Sequence, residues 1–272
     1  MPNARSRPGL VLGAVAYDPK VVTIWEEIRA HIRSEGVPLD VVFFLSYEQQ
    51  EDALVAGHID VSWSSPLAHV RIQRRTEGRA IALAMRDTDR DVRSRVVVAA
   101  TSPVRAVADL DGRRLAVGAR DSAQARLLPL HLLAEAGLDL RGVTVVPHEL
   151  DLGMHGDRPA SERAILRAIA DGNVDAGCVG EPLWIEELSA GRGGGAALRT
   201  IWTSPPYDHC VFDAAPAADP ALCQAFAAAL FAMSWDDPRH RRALELEGLH
   251  QWLPARDSGY APLRAALARF PI

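Results

Sequence analysis

Short apolar runs alternate along the chain with longer stretches in which apolar residues recur every three or four positions, the two periods of strand and helix. Leu10 to Val15 reads as a strand, Asp18-Pro19 supplies a helix N-cap and first-turn proline, and Val21, Trp25, Ile28 and Ile32 recur at helical spacing before Gly36. Leu39 to Leu45 is the next strand, and Ser46 with Gln49 forms a capping box for a helix ending at Gly57. Ile59 to Trp63 follows as a strand, and Ser65-Pro66 opens a helix through Leu67, Val70 and Ile72 toward Gly78. Ala80 to Ala84 and Arg95 to Ala100 read as strands separated by the charged stretch Arg86 to Asp91, which is expected to be a solvated loop. Such alternation predicts a largely parallel sheet with helices on both faces.

The alternation restarts after Ser102-Pro103. A short helix at Val104 to Leu110 precedes a strand at Leu115, which ends at Gly118 and leads into a helix running from Ser122 to Gly137. A strand at Val143 to Val146, a Gly/Asp/Pro/His-rich loop from Pro147 to Pro159, and a helix through Ala164, Ile165, Ala168 and Ile169 stopped at Gly172 come next. Val174 to Val179 is a strand, and Glu181-Pro182 opens another helix. The tract Gly191 to Gly195 lacks the Lys-Ser/Thr of a phosphate loop and is expected to be a surface turn. Leu198 to Trp202 and Tyr207 to Phe212 are strand-like, Asp219-Pro220 and Asp237-Pro238 start helices, and a last helix runs through Leu263 to Phe270.

Composition narrows the partners more than the fold. A net charge of -5 over 272 residues argues against a nucleic-acid surface, and the cluster Arg71, Arg74, Arg75 and Arg79 fits the outer face of a helix. Cys178, Cys210 and Cys223 have no CxxC spacing and leave an odd thiol, so the spacing indicates neither a disulfide framework nor a metal site. No run reaches membrane-spanning length. The first residues read as a basic tail before a strand rather than a leader, which gives a cytoplasmic protein as written, or a periplasmic or extracellular one if the start codon is misassigned.

Gly57-His58-Ile59-Asp60-Val61-Ser62-Trp63-Ser64-Ser65-Pro66, Thr101 to Pro103, Ala108 to Gly118, Ala170 to Gly177, Ile201 to Pro206 and Asp257 to Pro262 together resemble the phosphonate/phosphite-type solute-binding proteins of ABC transporters. The resemblance runs over nearly the whole chain in order. It implies an α/β, two-lobed type 2 periplasmic-binding-protein fold with mixed sheets and a ligand cleft between lobes. Crossings near Ala99 to Pro103 and Trp202 to Pro206 would make residues 1–100 plus 204–272 one lobe and 101–203 the other. Hinge closure over a ligand suits that arrangement.

The family's anion site would fall on the helix start at Ser122, where unpaired N–H groups and the helix dipole favour an anion. Ser122 is kept, but Ala123, Gln124 and Ala125 replace further hydroxyls, so the ligand is expected to differ from phosphonate. From the other lobe the resemblance brings in Tyr17, Trp63, Ser64, Ser65 and His69. For Trp63 core packing, for Ser65 an N-cap and for His69 a half-exposed position stand as alternatives. Arg93 borders the expected cleft and could pair with an anionic group. Ser161-Glu162-Arg163 stands where the family has a His-acid pair, so His155 is taken as a substitute, and Glu181 falls where the family turns an acid toward the ligand.

A Ser-His-acid triad around Ser64 or Ser65 lacks a nucleophile-elbow pattern. A metal or Cys-His site at Asp208-His209-Cys210, with His148 and His155, is weakened because strand alternation would send His209 and Cys210 to opposite faces. The leading expectation is therefore binding of a small anionic or zwitterionic metabolite without cofactor or metal, with ABC transporter membrane components as partners if exported. The alternative is a cytoplasmic enzyme or ligand sensor on the same fold.

Overall fold

The computed structural model describes residues 8–150, 159–191 and 197–270. In chain order its strands are β1 (Leu10–Val15), β2 (Leu39–Phe44), β3 (Val61–Ser64), β4 (Ile81–Ala82), β5 (Ala84–Arg86), β6 (Ser94–Ala99), β7 (Arg114–Val117), β8 (Thr144–Pro147), β9 (Ala176–Gly180), β10 (Leu198–Thr203), β11 (Val211–Ala214) and β12 (Trp252–Pro254). Its α-helices are α1 (Pro19–Ser34), α2 (Tyr47–Val55), α3 (Pro66–Arg75), α4 (Leu128–Glu135), α5 (Pro159–Ala170), α6 (Glu181–Ser189), α7 (Pro220–Phe231), α8 (Pro238–Glu247) and α9 (Ala261–Arg269).

Four polar-residue-plus-proline starts cap as their chemistry dictates, whereas Glu181-Pro182 lies inside α6, whose N-cap is Gly180. Asp18, Ser65, Asp219 and Asp237 each accept a hydrogen bond from a first-turn N–H, and the proline that follows fills a position whose own N–H would find no helical partner.

The chain divides into two compact units, 1–90 with 208–258 and 91–207 with 259–272. The first holds a mixed sheet ordered β2-β1-β3-β11-β4, in which β1 runs parallel to β2 and β3 while β11 runs antiparallel to β3 and β4. Leu12 and Ala14 of β1, Val61 and Trp63 of β3 and Phe212 of β11 form one buried face with Val21, Trp25 and Ile28 of α1 and Phe226 of α7. On the opposite face α2, through Ala53 and Leu54, and α3, through Ile72, pack over Val11 and Ile59. The second unit holds the sheet β10-β6-β9-β7-β8, with β7 parallel to β8 and β9 and with β6 antiparallel to β9 and β10.

These boundaries differ from those expected. β6 pairs with β9 and β10, so it belongs to the second unit and the first passage falls at 90/91 rather than near 100. The second passage falls at 207/208, and a third at 258/259 returns α9 to the second unit, where it packs on α4. The expected strand Ala80 to Ala84 is two short pieces with separate partners, because β4 pairs with β11 and β5 with β12.

Gly177 lies where α5 crosses β9. A Cβ there would come within 2.3 Å of Ile165 Cγ2 and 3.0 Å of Ile169 Cδ1. Gly177→Ala is expected to destabilise by about 1–3 kcal/mol through overpacking, read as a lowered urea midpoint. An unchanged midpoint would mean that α5 shifts freely on the sheet.

Candidate functional site

In the first unit, the carboxyl ends of the parallel strands carry the predicted residues. Tyr17 follows β1 and is half-buried against the core. Alternation along β3 sends Trp63 to the α1 face, where its ring lies 4.6 Å from Phe212 and 5.7 Å from Trp252, with the Arg86 guanidinium 5.4 Å from its centroid. Trp63 therefore takes its core role. Ser64 points the other way, is fully buried and shares a 2.8 Å hydrogen bond with Ser62. Ser65 caps α3 by accepting from the Ala68 N–H at 3.2 Å.

His69 is buried rather than half-exposed. Its Nδ1 lies 2.8 Å from Oδ1 of Asp213, a carboxylate with no exposure at all. Gln73 Nε2 donates to the same oxygen at 3.4 Å. Asp213 sits opposite Ser62 in the β3–β11 pairing, so Ser62, Ser64, Asp213 and His69 make a polar layer beneath α3.

In the second unit, β7 and β9 end beside the start of β6. Ser122 is buried and caps the helical turn that begins at Ala123, accepting from the Ala125 N–H at 3.0 Å. That turn is π-helical through Leu127 and continues into α4. Ala123 is fully buried. Gln124 donates its side-chain amide to Glu162 Oε1 at 2.6 Å, and the Gly180 N–H donates to Glu162 Oε2 at 2.7 Å. A carboxylate of the chain itself thus occupies the N-terminus of α6, the place where helix ends attract anions. A Cβ on Gly180 would lie 2.6 Å from the Gln124 amide, so glycine is what lets strand end and amide meet.

Arg93 is half-buried and donates to the Ser204 carbonyl at 2.8 Å, while its own carbonyl accepts from the Glu181 N–H. Glu181 is half-buried in the first turn of α6 and forms an ion pair with Arg95, which also donates to Thr203 Oγ1 at 3.0 Å. The Ser94 hydroxyl donates to the Gln124 carbonyl at 2.6 Å and lies 2.8 Å from the Tyr207 hydroxyl. His155 and Arg192 to Gly195 lie outside the described residues.

Asp213, Arg95 and Glu162 carry more of these contacts than the sequence reading assigned them. Their signals in the sequence are an acid inside the apolar run Val211 to Ala214, and Glu162 in the segment that stands where the family has a His-acid pair.

Arg86 to Asp91 is the largest departure from expectation. Arg86 is in β5, and its Nε and Nη2 grip Asp89 at 2.5 and 2.8 Å while Nη1 donates to the Glu247 carbonyl at 2.8 Å. Asp89 is 2% exposed. Burial alone would push its carboxyl up; the Arg86 guanidinium overrides this and holds it at about 2. Nor do His209 and Cys210 face apart as strand alternation would have them. β11 begins only at Val211, and His209 Nδ1 meets Cys210 Sγ at 3.1 Å.

The chain matches the family described as ABC transporter, phosphonate, periplasmic substrate-binding protein over residues 14–260, and belongs to it. A curated relative, the probable ABC transporter phosphite binding protein PhnD1 of Prochlorococcus marinus (strain MIT 9301), is 23% identical over 155 residues. That alignment covers 55% of this chain and only 49% of the relative, about half its length.

The solved structure of PhnD1 from the same organism, in complex with methylphosphonate, superposes with a TM-score of 0.73 at 17% identity, covering 96% of this chain and 97% of that one. XAC2383 from Xanthomonas citri bound to ATP gives 0.74 at 20% identity, with 96% of each chain covered. The aliphatic sulphonate binding protein SsuA from Escherichia coli gives 0.63 at 20% identity, covering 97% and 87%. These likenesses establish the two-lobed periplasmic-binding-protein fold. No helix among the described residues is long and apolar enough to cross a membrane.

Proposed function

We propose that the chain is the substrate-binding component of an ABC transporter and holds a small anionic or zwitterionic metabolite. The observation that carries this is the carboxyl edge of the second unit's sheet. There Arg93, Arg95 and Glu181 stay half-buried beside the helix starts at Ser122 and Glu181. Ligands of open α/β sheets bind at such strand ends. An arginine suits a phosphonate, sulfonate or carboxylate head, and Glu181 suits an amine.

Because Glu162 already fills the N-terminus of α6, a ligand anion has to rely on arginines and hydroxyls more than on that helix end. Tyr17 and Ser65 are the contributions assigned to the first unit, and Ser122, Gln124, Arg93 and Glu181 those of the second. The family match supports binding over the enzyme or sensor alternative, and its description supports a working location in the periplasm with transporter membrane components as partners.

A thermal-shift screen of phosphonates, phosphate, sulfonates and amino-acid-like compounds tests the proposal. A ligand present at about a hundred times its Kd adds about 2.7 kcal/mol, which raises Tm by roughly 5–10 °C. Arg93→Ala is expected to abolish the ligand-induced rise. A screen in which no compound of these classes raises Tm overturns the reading.

A further inference from the structure

At the 90/91 and 207/208 passages, within the first unit, three donors of different chemistry converge. Asp89 carboxylate, His209 Nδ1 and Cys210 Sγ lie within 4.8 Å of one another, and all three residues are buried. His209 Nδ1 is 3.1 Å from Cys210 Sγ and 3.3 Å from Asp89 Oδ1. The backbone fixes this convergence, because the His209 N–H donates to the Asp89 carbonyl at 2.8 Å.

We propose that Asp89, His209 and Cys210 bind a zinc-type divalent cation, a site separate from the ligand-binding residues above. Zinc bond lengths of about 2.0–2.3 Å in a tetrahedron put ligand atoms about 3.3–3.8 Å apart, close to the two contacts made by Nδ1. A nitrogen, a thiolate and a carboxylate are the donor set a borderline-soft divalent cation takes, whereas calcium or magnesium requires oxygen. Three protein ligands leave one coordination position for water.

The geometry favours a metal over a nucleophilic Cys-His-Asp arrangement. In such a triad the thiol and the carboxylate address opposite ring nitrogens, so that the imidazole passes a proton between them. Here both address Nδ1, which suits a shared central cation and not a relay. Charge balances as well. The bound cation is neutralised by the Asp89 carboxylate and the Cys210 thiolate, whose S–H proton leaves to solvent as the sulfur–metal bond forms. Arg86, whose Nε and Nη2 hold the two Asp89 oxygens, keeps Glu247 as a counter-ion at 3.3 Å. A carboxylate ligand oriented by a second group is the usual arrangement around bound metals. The cation would tie the segment before the first passage to the segment after the second.

The test is titration of the reduced, chelator-treated full-length chain with Co2+ and then Zn2+. The expected result is one equivalent of Co2+ giving a thiolate-to-cobalt charge-transfer band in the near ultraviolet, bleached when Zn2+ displaces it. Cys210→Ala is expected to lose the band, while Cys178→Ala and Cys223→Ala keep it, and Asp89→Asn is expected to weaken uptake at least tenfold. Absence of the band and of stoichiometric uptake in the wild-type chain overturns the proposal without reference to any variant. So does a band that survives Cys210→Ala, and neither result bears on the oxyanion screen.

Discussion

Arg86→Ala is expected to destabilise the first unit by about 3–5 kcal/mol, the range for removing one partner of a buried, hydrogen-bonded ion pair. The guanidinium is 21% exposed and bridges two acids that water barely reaches, Asp89 and Glu247. Its loss leaves the Asp89 carboxylate facing only His209 and strips a cation from the face of Trp63. Glu247, which burial pushes up to about 7 even against the pull of Arg86, would be pushed further. Arg86→Lys keeps the charge but not the two-pronged grip, so its loss should be intermediate.

The pH dependence adds a signature. Asp89 has a folded-state value of about 2 against an ordinary 3.8, so its contribution is fully present above pH 3.8 and is lost as pH falls through 2. In Arg86→Ala that acid-side loss should disappear. Urea melts at pH 7 and between pH 2 and 4 check both effects, and a loss below about 1 kcal/mol at pH 7 would show that burial of these acids is not what Arg86 maintains. Arg141, 91% exposed in its pair with Asp139, is the contrasting case whose removal should leave the midpoint unchanged.

The same residues show where the sequence was legible. Local chemistry could be read because it depends on neighbours in the chain: Asp18, Ser65, Ser122, Asp219 and Asp237 cap the helices they precede, and Val21, Trp25, Ile28 and Ile32 line the buried stripe of α1. Arg86 to Asp91 could not be read in that way. Six residues with five charges look like a solvated loop until β5 pairs with β12, more than 160 positions away, with Asp89 buried and Arg86 half-buried beside it. Asp213 was hidden for a related reason, since its partner His69 comes from α3, 144 positions earlier.

At the candidate site, the strand ends and the Ser122 helix start were legible in the local pattern. That pattern did not disclose that Glu162 fills one helix N-terminus from within, because an acid in a first helical turn has the same pattern whether it faces solvent or a neighbouring helix. The boundary shift from 100 to 90 has a topological cause: β6 is an apolar strand that could join either sheet, and only its antiparallel partners β9 and β10 decide.

Glu51→Gln is expected to stabilise the protein at pH 8 by about 3 kcal/mol and to leave it nearly unchanged at pH 4. Glu51 lies on α2, 3% exposed, with Arg71 Nη1 at 3.6 Å and Arg75 Nη1 at 3.8 Å. Those distances are too long for the strong hydrogen bonds that rescue a buried charge, so burial wins over both arginines and raises the carboxyl from 4.5 to about 7.

The sign follows from proton uptake. Between pH 4.5 and 7 the folded chain holds a proton that the unfolded chain has released, so stability falls as pH rises through this window and stays at its lower level above it. A rise from 4.5 to about 7 corresponds to about 3 kcal/mol at 1.36 kcal/mol per pH unit. Glutamine keeps the shape and one acceptor without the charge, so the fall should flatten in the variant, with Glu247 supplying what slope remains in the same window. Urea midpoints of both proteins at pH 4, 6 and 8 provide the measurement. A variant less stable than the parent at pH 8 would mean that attraction to Arg71 and Arg75 outweighs the desolvation of Glu51.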